Sequence, residues 1–512
     1  MKRSAVSLFL LLIHSVAFSQ TTSTEILGAV LDPSGASVPG ATVVLRRAST
    51  GATRQTVTNS EGNYTFPLID VGEYSIKVTA SGFSTQEQKN ITVQLQQKAR
   101  VDFQLQVGQT SDVVEVTATG IALKTEDASV GGNIDNKRVV ELPLNGRNVA
   151  TLAVLVPGVQ FGVRMGLDGS GGFPIPGNGV AISANGQREV NQQVTLDGVI
   201  ATEPRVNTAS FSPSIDALEE FKVQTSSYSA EYGQNSGAIM QMVVKSGTNQ
   251  LHGTFYEFLR NDKFAAKDYF LNFQQPAGAR EAAKPVLRRN QFGVFVGGPV
   301  LFPKLYNGKD RTFWSFNFEG RRETREVVQE AFWFPQAFRN GDFSSLLTPP
   351  LNASGVPIRQ PTVIFDPTTG EPFRNSAGQI TNIIPPSRIN KAAQDYVNRF
   401  LPLPMFTPTD PLDINTRGSV PNIIRNNQTM FRIDHNLSAS DKVFVRFITD
   451  RGSWTNGDLN PNLTYFVTSV NTNLAAQWVK IINPTTVNEF RYGLNKSDNN
   501  TLNPRTNTGF DL

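Results

Sequence analysis

From about residue 250 onward, hydrophobic and polar residues alternate along short stretches. Thr312, Trp314, Phe316 and Phe318 fall on one side of an extended segment, and Arg311, Ser315, Asn317 and Glu319 fall on the other. Val443, Val445 and Phe447 likewise oppose Lys442, Arg446 and Asp450, although Phe313 and Phe444 break the pattern. Side chains on a strand point alternately to its two faces, so each stretch predicts a strand with one oily and one mostly wet face. Strands are predicted over 253–260, 288–298, 311–322, 428–437, 441–450, 475–482 and 485–495. Either a water-soluble sandwich or a membrane barrel with a polar lumen gives this alternation. Residues 335–425 interrupt it with a Pro-, Asn-, Thr- and Gly-rich excursion. That excursion contains one helical stretch, 387–400, in which Ile389, Ala393, Tyr396, Val397 and Phe400 share a face.

The first half is organised differently. Residues 26–107 carry short β-prone runs separated by Gly- and Pro-containing turns, which predict an all-β sandwich with Tyr64, Phe66, Tyr74, Ile76 and Val78 as core anchors. Residues 121–248 are Gly-rich. Their turn dipeptides Asn145-Gly146, Asn185-Gly186 and Asp197-Gly198, with a short helical turn at 216–221 before a strand from Lys222, predict a small α/β unit. The stretch 161–179 is Gly-rich but lacks the Gly-Lys-Ser/Thr of a phosphate loop and reads as a plain loop.

Composition narrows the chemistry. The 512 residues are 39% hydrophobic and 18% charged. Beyond residue 20 they hold no apolar run long enough for a spanning helix, which leaves a strand-built barrel open. The formal charge of +4 and the absence of a Lys/Arg block give no support to nucleic-acid binding. Cysteine is absent and there are three histidines, so thiolate chemistry, a histidine metal cluster and a Ser-His-Asp site are disfavoured. No catalytic residue, metal or cofactor is predicted. The first 19 residues combine basic Lys2 and Arg3, a short apolar core over 5–13, and the small residues Ala17 and Ser19. They predict a cleaved signal peptide.

Three resemblances rest on these motifs. The runs GAVLDPSGASVPGATVVL and TNSEGNYTFPLIDVGEYSIKVTASGF resemble a carboxypeptidase regulatory-like domain. This implies a transthyretin-like, carbohydrate-binding-like sandwich over 20–108, with sugar binding weighed against a spacer or docking role. Asp112, Val113, Val114, Glu115, Val116, Thr117 and Ala118, within a linker over 109–120, resemble a TonB box, as against a plain linker strand. The series Leu-Pro-Leu-Asn-Gly-Arg-Asn, Asn-Gly-Gln-Arg, Leu-Asp-Gly-Val and Glu-Tyr-Gly-Gln-Asn-Ser-Gly resembles the plug of TonB-dependent outer-membrane receptors, in particular the Oar-like group.

The resemblance implies a mainly β chain: an N-terminal sandwich, an α/β plug domain over 121–248, and part of a transmembrane antiparallel barrel over 249–512. Plugged transporters have about 22 strands, more than residues 250–512 supply, so the chain is expected to be the N-terminal part of a longer protein. The implied function is energy-coupled uptake of an extracellular ligand, with carbohydrate one candidate. TonB and outer-membrane lipid would be partners, and the N-terminal units would face the periplasm. Arg147, Arg188 and Asp197 would either line a ligand path or act as salt bridges and turn caps. The alternatives are an adhesion or surface-structure protein without transport and, more remotely, an enzyme.

Overall fold

The computed structural model describes residues 24–109, 113–117, 128–142, 144–161, 182–203, 207–229, 231–267, 284–483 and 486–502. The expected signal peptide, Asp112, Ala118, most of the 161–179 stretch and the turn residues Pro484 and Thr485 lie outside them.

The N-terminal part contains β1 (Thr24–Leu31), β2 (Thr42–Arg47), β3 (Thr53–Val57), β4 (Asn63–Ile69), β5 (Gly72–Thr79), β6 (Thr85–Val93), β7 (Lys98–Arg100), β8 (Phe103–Gln104) and β9 (Val113–Thr117). One sheet has the order β4-β1-β7, with β8 also on β1; the other has the order β3-β2-β5-β6-β9. Alternate residues from both sheets meet in one core that includes Ile26, Val43, Leu45, Phe66, Ile91 and Phe103. The predicted anchors Tyr64, Phe66, Tyr74, Ile76 and Val78 are all buried there. Tyr64 and Tyr74 satisfy their hydroxyls by donating to the carbonyls of Val101 (2.6 Å) and Asp70 (2.8 Å). Two sheets sharing one dry interior make this part a sandwich.

A third, mixed sheet follows, built from β10 (Val130–Asp135), β13 (Gln193–Leu196), β14 (Val199–Ile200), β15 (Leu218–Ser226) and β16 (Ile239–Val244) in the order β10-β15-β16-β13-β14. A separate antiparallel pair, β11 (Val159–Phe161) and β12 (Ile182–Ala184), packs Val159, Ile182 and Ala184 into the same core as this sheet. The helical turn expected at 216–221 occupies only Ile215–Ala217, and the strand begins at Leu218. The β-branched and aromatic residues from Phe221 to Val223 pair on both sides with β10 and β16, and that pairing overrides the local helical preference.

The remainder is an open antiparallel meander of β17 (His252–Asn261), β18 (Leu287–Pro299), β21 (Thr312–Ala331), β22 (Thr416–Asn436), β23 (Asp441–Asn456), β24 (Tyr465–Asn483) and β25 (Thr486–Leu502), with the two-residue strands β19 (Leu301–Phe302) and β20 (Tyr306–Asn307) between β18 and β21. Most of these strands run well past their predicted ends. β22 starts at Thr416 rather than 428, so the long excursion spans 332–415 instead of 335–425. Its helix covers Lys391–Phe400, preceded by a 3₁₀ turn at Pro386–Arg388. The extra strand residues, such as Arg425, Asn426 and Asn427, are polar on both faces, so hydrophobic alternation marks only part of each strand.

The meander is inverted relative to a soluble sheet. Its polar face is the buried one: Ser315, Asn317, Gln428, Arg432, Arg446, Asp450, Asn471 and Asn473 are all almost inaccessible. Its apolar face is open, with Phe431 at 43%, Val445 at 50%, Phe447 at 43% and Phe490 at 60% exposure. The mixed sheet lies against the polar face, where Phe295, Met430 and Ile448 of the meander join its core. The sandwich meets the short turns at one end of the strands, where Lys442 pairs with Asp70, and Asn249 Nδ2 donates to the Thr50 carbonyl at 2.8 Å. The long excursion leaves from the opposite end. There Arg339 clamps it by donating to the carbonyls of Phe334 (2.9 Å), Val397 (3.2 Å) and Pro402 (2.5 Å).

Candidate functional site

The meander grips the mixed sheet and the loops that flank it mainly through main-chain carbonyls. Gln291 donates to Gly146 O (3.1 Å), Gln428 to Ser212 O (2.9 Å), Ser315 to Lys245 O (2.9 Å) and Asn473 to Ile200 O (3.1 Å). These donors lie on four different strands, β18, β21, β22 and β24, always on the buried face, because strand alternation places them there.

Two ion clusters reinforce this seat. Asp197 and Gly198 adopt φ +48° and +76°, forming the tight turn between β13 and β14. That left-handed geometry is tolerated by Asp and Gly and is typical of primed hairpin turns. The turn projects the Asp197 carboxylate outward. One oxygen accepts from Arg446 Nε at 3.0 Å, and the other accepts from Arg432 at 3.3 Å and from the Val244 N–H at 3.1 Å. Arg432 also makes a two-pronged pair with Asp434, at 2.8 Å on both oxygens, and its guanidinium lies 4.4 Å from the Phe444 ring centroid. Two carboxylates therefore face two guanidinium groups in a buried, charge-balanced quartet, which is the condition under which buried charges are tolerated.

The second cluster surrounds Arg147, which follows Gly146 in a turn and itself has φ +52°. Its guanidinium pairs with Asp216, lies 3.9 Å from Glu319, and stacks between the rings of Tyr256 (4.5 Å) and Phe258 (4.2 Å). Cation–π contacts of this kind strengthen where water is excluded. Of the three residues singled out in the sequence, Arg147 and Asp197 are thus brought to the meander wall in separate clusters. Arg188 stands apart on an exposed turn. Sequence reading did not single out Arg432, Asp434 or Arg446. Their signal was present: charges on strand faces within a membrane-spanning pattern require partners.

A third polar junction joins the sandwich to the mixed sheet. Glu220 accepts from the Leu95 N–H (2.8 Å) and from Asn133 Nδ2 (2.6 Å), while the Lys222 ammonium donates to the Leu95 carbonyl at 3.1 Å. Burial pushes the Glu220 carboxyl up to about 8, against the opposing pull of the Leu95 N–H and the Lys222 charge. The folded state thus holds this proton more tightly than the unfolded chain, whose carboxyl titrates near 4.5. Stability at this junction is therefore expected to fall as pH rises from about 4.5 to about 8. Thermal unfolding at pH 5 and pH 8 should show a larger drop for the native chain than for Glu220→Gln. An equal drop in both would remove Glu220 as the cause.

The segment 112–118 is described over Val113–Thr117. It is a strand, β9, lying parallel to β6 with Thr85 opposite Val113 and Lys89 opposite Thr117. Lys89 and Glu115 form a 2.9 Å ion pair across the two strands. Among the described residues, no group of three or more His, Asp and Glu side chains is placed to hold a metal ion.

Comparison with known proteins bears on this arrangement. Residues 243–512 match a family model described as an outer membrane beta barrel domain, and residues 25–106 match a carboxypeptidase regulatory-like domain. Over 312 residues the chain is 25% identical to the TonB-dependent transporter Oar of Myxococcus xanthus, an alignment covering 58% of this chain and 27% of that protein. Among solved structures, the outer membrane transporter YddB from Escherichia coli is similar at 10% identity and TM-score 0.43, covering 73% of this chain and 40% of that one. BauA, the ferric preacinetobactin receptor from Acinetobacter baumannii, is similar at 9% identity and TM-score 0.35, covering 74% and 49%.

Proposed function

The chain belongs to the outer membrane β-barrel family, and from its place in the outer membrane we propose that it acts as a TonB-dependent receptor and transporter. In this reading the meander is barrel wall, with its open apolar face against lipid, and the mixed sheet is the plug seated on the polar inner face. The sandwich and the 112–118 segment face the periplasm, and the 332–415 excursion faces outward. The observation that carries the reading is the inverted meander. Polar side chains are buried against an inserted domain while Phe431, Val445, Phe447 and Phe490 stand open. In water an apolar surface of this extent would be a liability, whereas in a bilayer it is the required exterior.

Import would proceed by binding and displacement, without covalent chemistry. A ligand would settle against the excursion, on which Phe334, Phe365, Met405 and Phe406 are exposed. TonB would engage residues 112–118 by strand addition, a mode in which backbone hydrogen bonds supply affinity. Pulling on that segment would shift the plug and open a route to the periplasm. The ligand is unidentified; an oligosaccharide is the candidate offered by the carbohydrate-binding-like sandwich.

The decisive experiment uses the full-length protein in cells. Membrane fractionation should place it in the outer membrane. In a growth and binding screen over glycans, peptides and metal chelates, deletion of residues 112–118 should abolish uptake of the ligand that the native protein admits while leaving surface binding of that ligand intact. Uptake that survives the deletion would reject coupling through this segment. Attachment defects without any uptake loss would favour an adhesion role.

A further inference from the structure

We propose that Lys222 and Asn133 become joined through their side chains by an amide bond, formed by the protein itself, that ties β10 to β15 within the mixed sheet. The two residues are directly opposite one another in the β10–β15 register. Residues so paired in an antiparallel ladder share a face and hold their Cβ atoms about 4.5–5.5 Å apart, a gap that the four-carbon stem of a lysine can cross. Glu220, two positions before Lys222, is on the same face because side chains alternate along a strand. The three side chains meet beneath residues 94–96 of the sandwich, where Lys222 is 1% and Glu220 5% exposed. Leu95 holds two of them: its N–H donates to Glu220 Oε2 at 2.8 Å, and its carbonyl accepts from Lys222 Nζ at 3.1 Å. The other Glu220 oxygen, Oε1, lies 2.6 Å from Asn133 Nδ2.

These are the parts that an amide exchange needs. Asn133 supplies the electrophilic Cγ, and Lys222, once it has shed one proton, supplies the nucleophile. Glu220 supplies the acid. Burial pushes its carboxyl up to about 8, so it carries a proton at neutral pH, and that proton is held beside the nitrogen that must leave. The Nζ–Cγ bond forms as the Cγ–Nδ2 bond breaks. The Glu220 proton passes to Nδ2, and a proton from Nζ takes its place on Glu220. A lysine amine and a carboxamide thus become a secondary amide and ammonia, which departs with the proton that Lys222 shed. Nothing is oxidised or reduced, and no activating cofactor enters. Fixed placement of the partners replaces the activation that this exchange would require in solution. The bond has a mechanical use if residues 112–118 are the segment that a partner pulls, a point that rests on the reading above. β10 is the first strand of the mixed sheet after that segment, and the bond would pass the load directly into β15.

Peptide mapping of the native full-length protein, purified in detergent and digested with trypsin, tests this directly. An amide on Lys222 blocks cleavage there, so residues 125–137 and 206–245 should appear as one branched peptide, lighter than the sum of its parts by one ammonia. Fragmentation should place the junction on Lys222 and Asn133. The branched species should vanish in Lys222→Arg. Glu220→Gln keeps both partners but lacks the acid, so formation should slow about 100-fold, the scale of a positioned proton donor, and freshly made protein should be mostly unlinked. Cleavage after Lys222 in the native chain, with the Asn133 peptide at its full separate mass, would overturn the proposal, and that result depends on no variant folding. A branched peptide that forms as fast in Glu220→Gln as in the native chain would overturn the part given to Glu220. Deleting residues 112–118 should leave the branched peptide in place, so failure of the coupling reading and failure of the bond are told apart.

Discussion

Phe447→Arg is expected to cost roughly 2–4 kcal/mol of folding stability in lipid vesicles, the range for a cation on the lipid face of a barrel near the bilayer midplane. Phe447 stands on β23 between Phe431 of β22 and Leu474 of β24. Both phenylalanines have 43% exposure. In a water-soluble sheet the same half-exposed position would tolerate arginine to within about 0.5 kcal/mol. The two environments therefore differ by several-fold in predicted effect, and a denaturant titration of the refolded full-length protein separates them. Phe447→Leu, which keeps the apolar face, should stay close to native. An arginine variant as stable as the native protein would mean that this side of the strands never meets hydrocarbon.

The second large effect is expected at Asp197→Ala. Removing one partner of a buried ion pair typically costs about 3–5 kcal/mol, because the remaining charge is stranded in a dry site. Arg432 would keep Asp434, but Arg446, fully inaccessible, would lose its carboxylate and retain only the Asn473 side chain (2.7 Å) and the carbonyls of Leu196 (3.1 Å) and Asn473 (3.3 Å). The β13–β14 turn should then detach from the wall before the wall itself unfolds. Limited trypsin digestion should cut within residues 130–244 while β21 to β24 stay protected, and cells should admit large antibiotics that the native protein excludes. Adding Arg446→Leu should recover much of the loss, since replacing both partners avoids the stranded charge. Unchanged protease protection in Asp197→Ala would show that the quartet does not hold the mixed sheet to the meander.

The fold was legible where side-chain period and burial agree. Alternation at Trp314, Phe316 and Phe318 located β21, and the spaced aromatics of the N-terminal third located the sandwich core. Strand ends were not legible. Residues such as Arg425 to Asn427 continue the ladder without an apolar face to announce it. The two interruptions in the pattern have structural causes. Phe444 turns inward to cover the Arg432 guanidinium. Phe313 turns inward to line a cavity of about 370 Å³ between the sandwich and the strand turns. The site was half visible. Asp197 stood out because Asp-Gly marks a tight turn, but the arginines that meet it lie more than 230 positions away, and no local spacing links them. The parallel docking of β9 had no sequence signal either, since a β-prone run does not specify which edge it joins.

Away from the Asp197 and Arg147 clusters, the meander holds the inserted unit through groups that every residue possesses. Gln291, Gln428, Ser315 and Asn473 all donate to peptide oxygens. Amino-acid changes in the inserted unit can therefore accumulate at those points while its trace is kept, without redesign of the fitting around it.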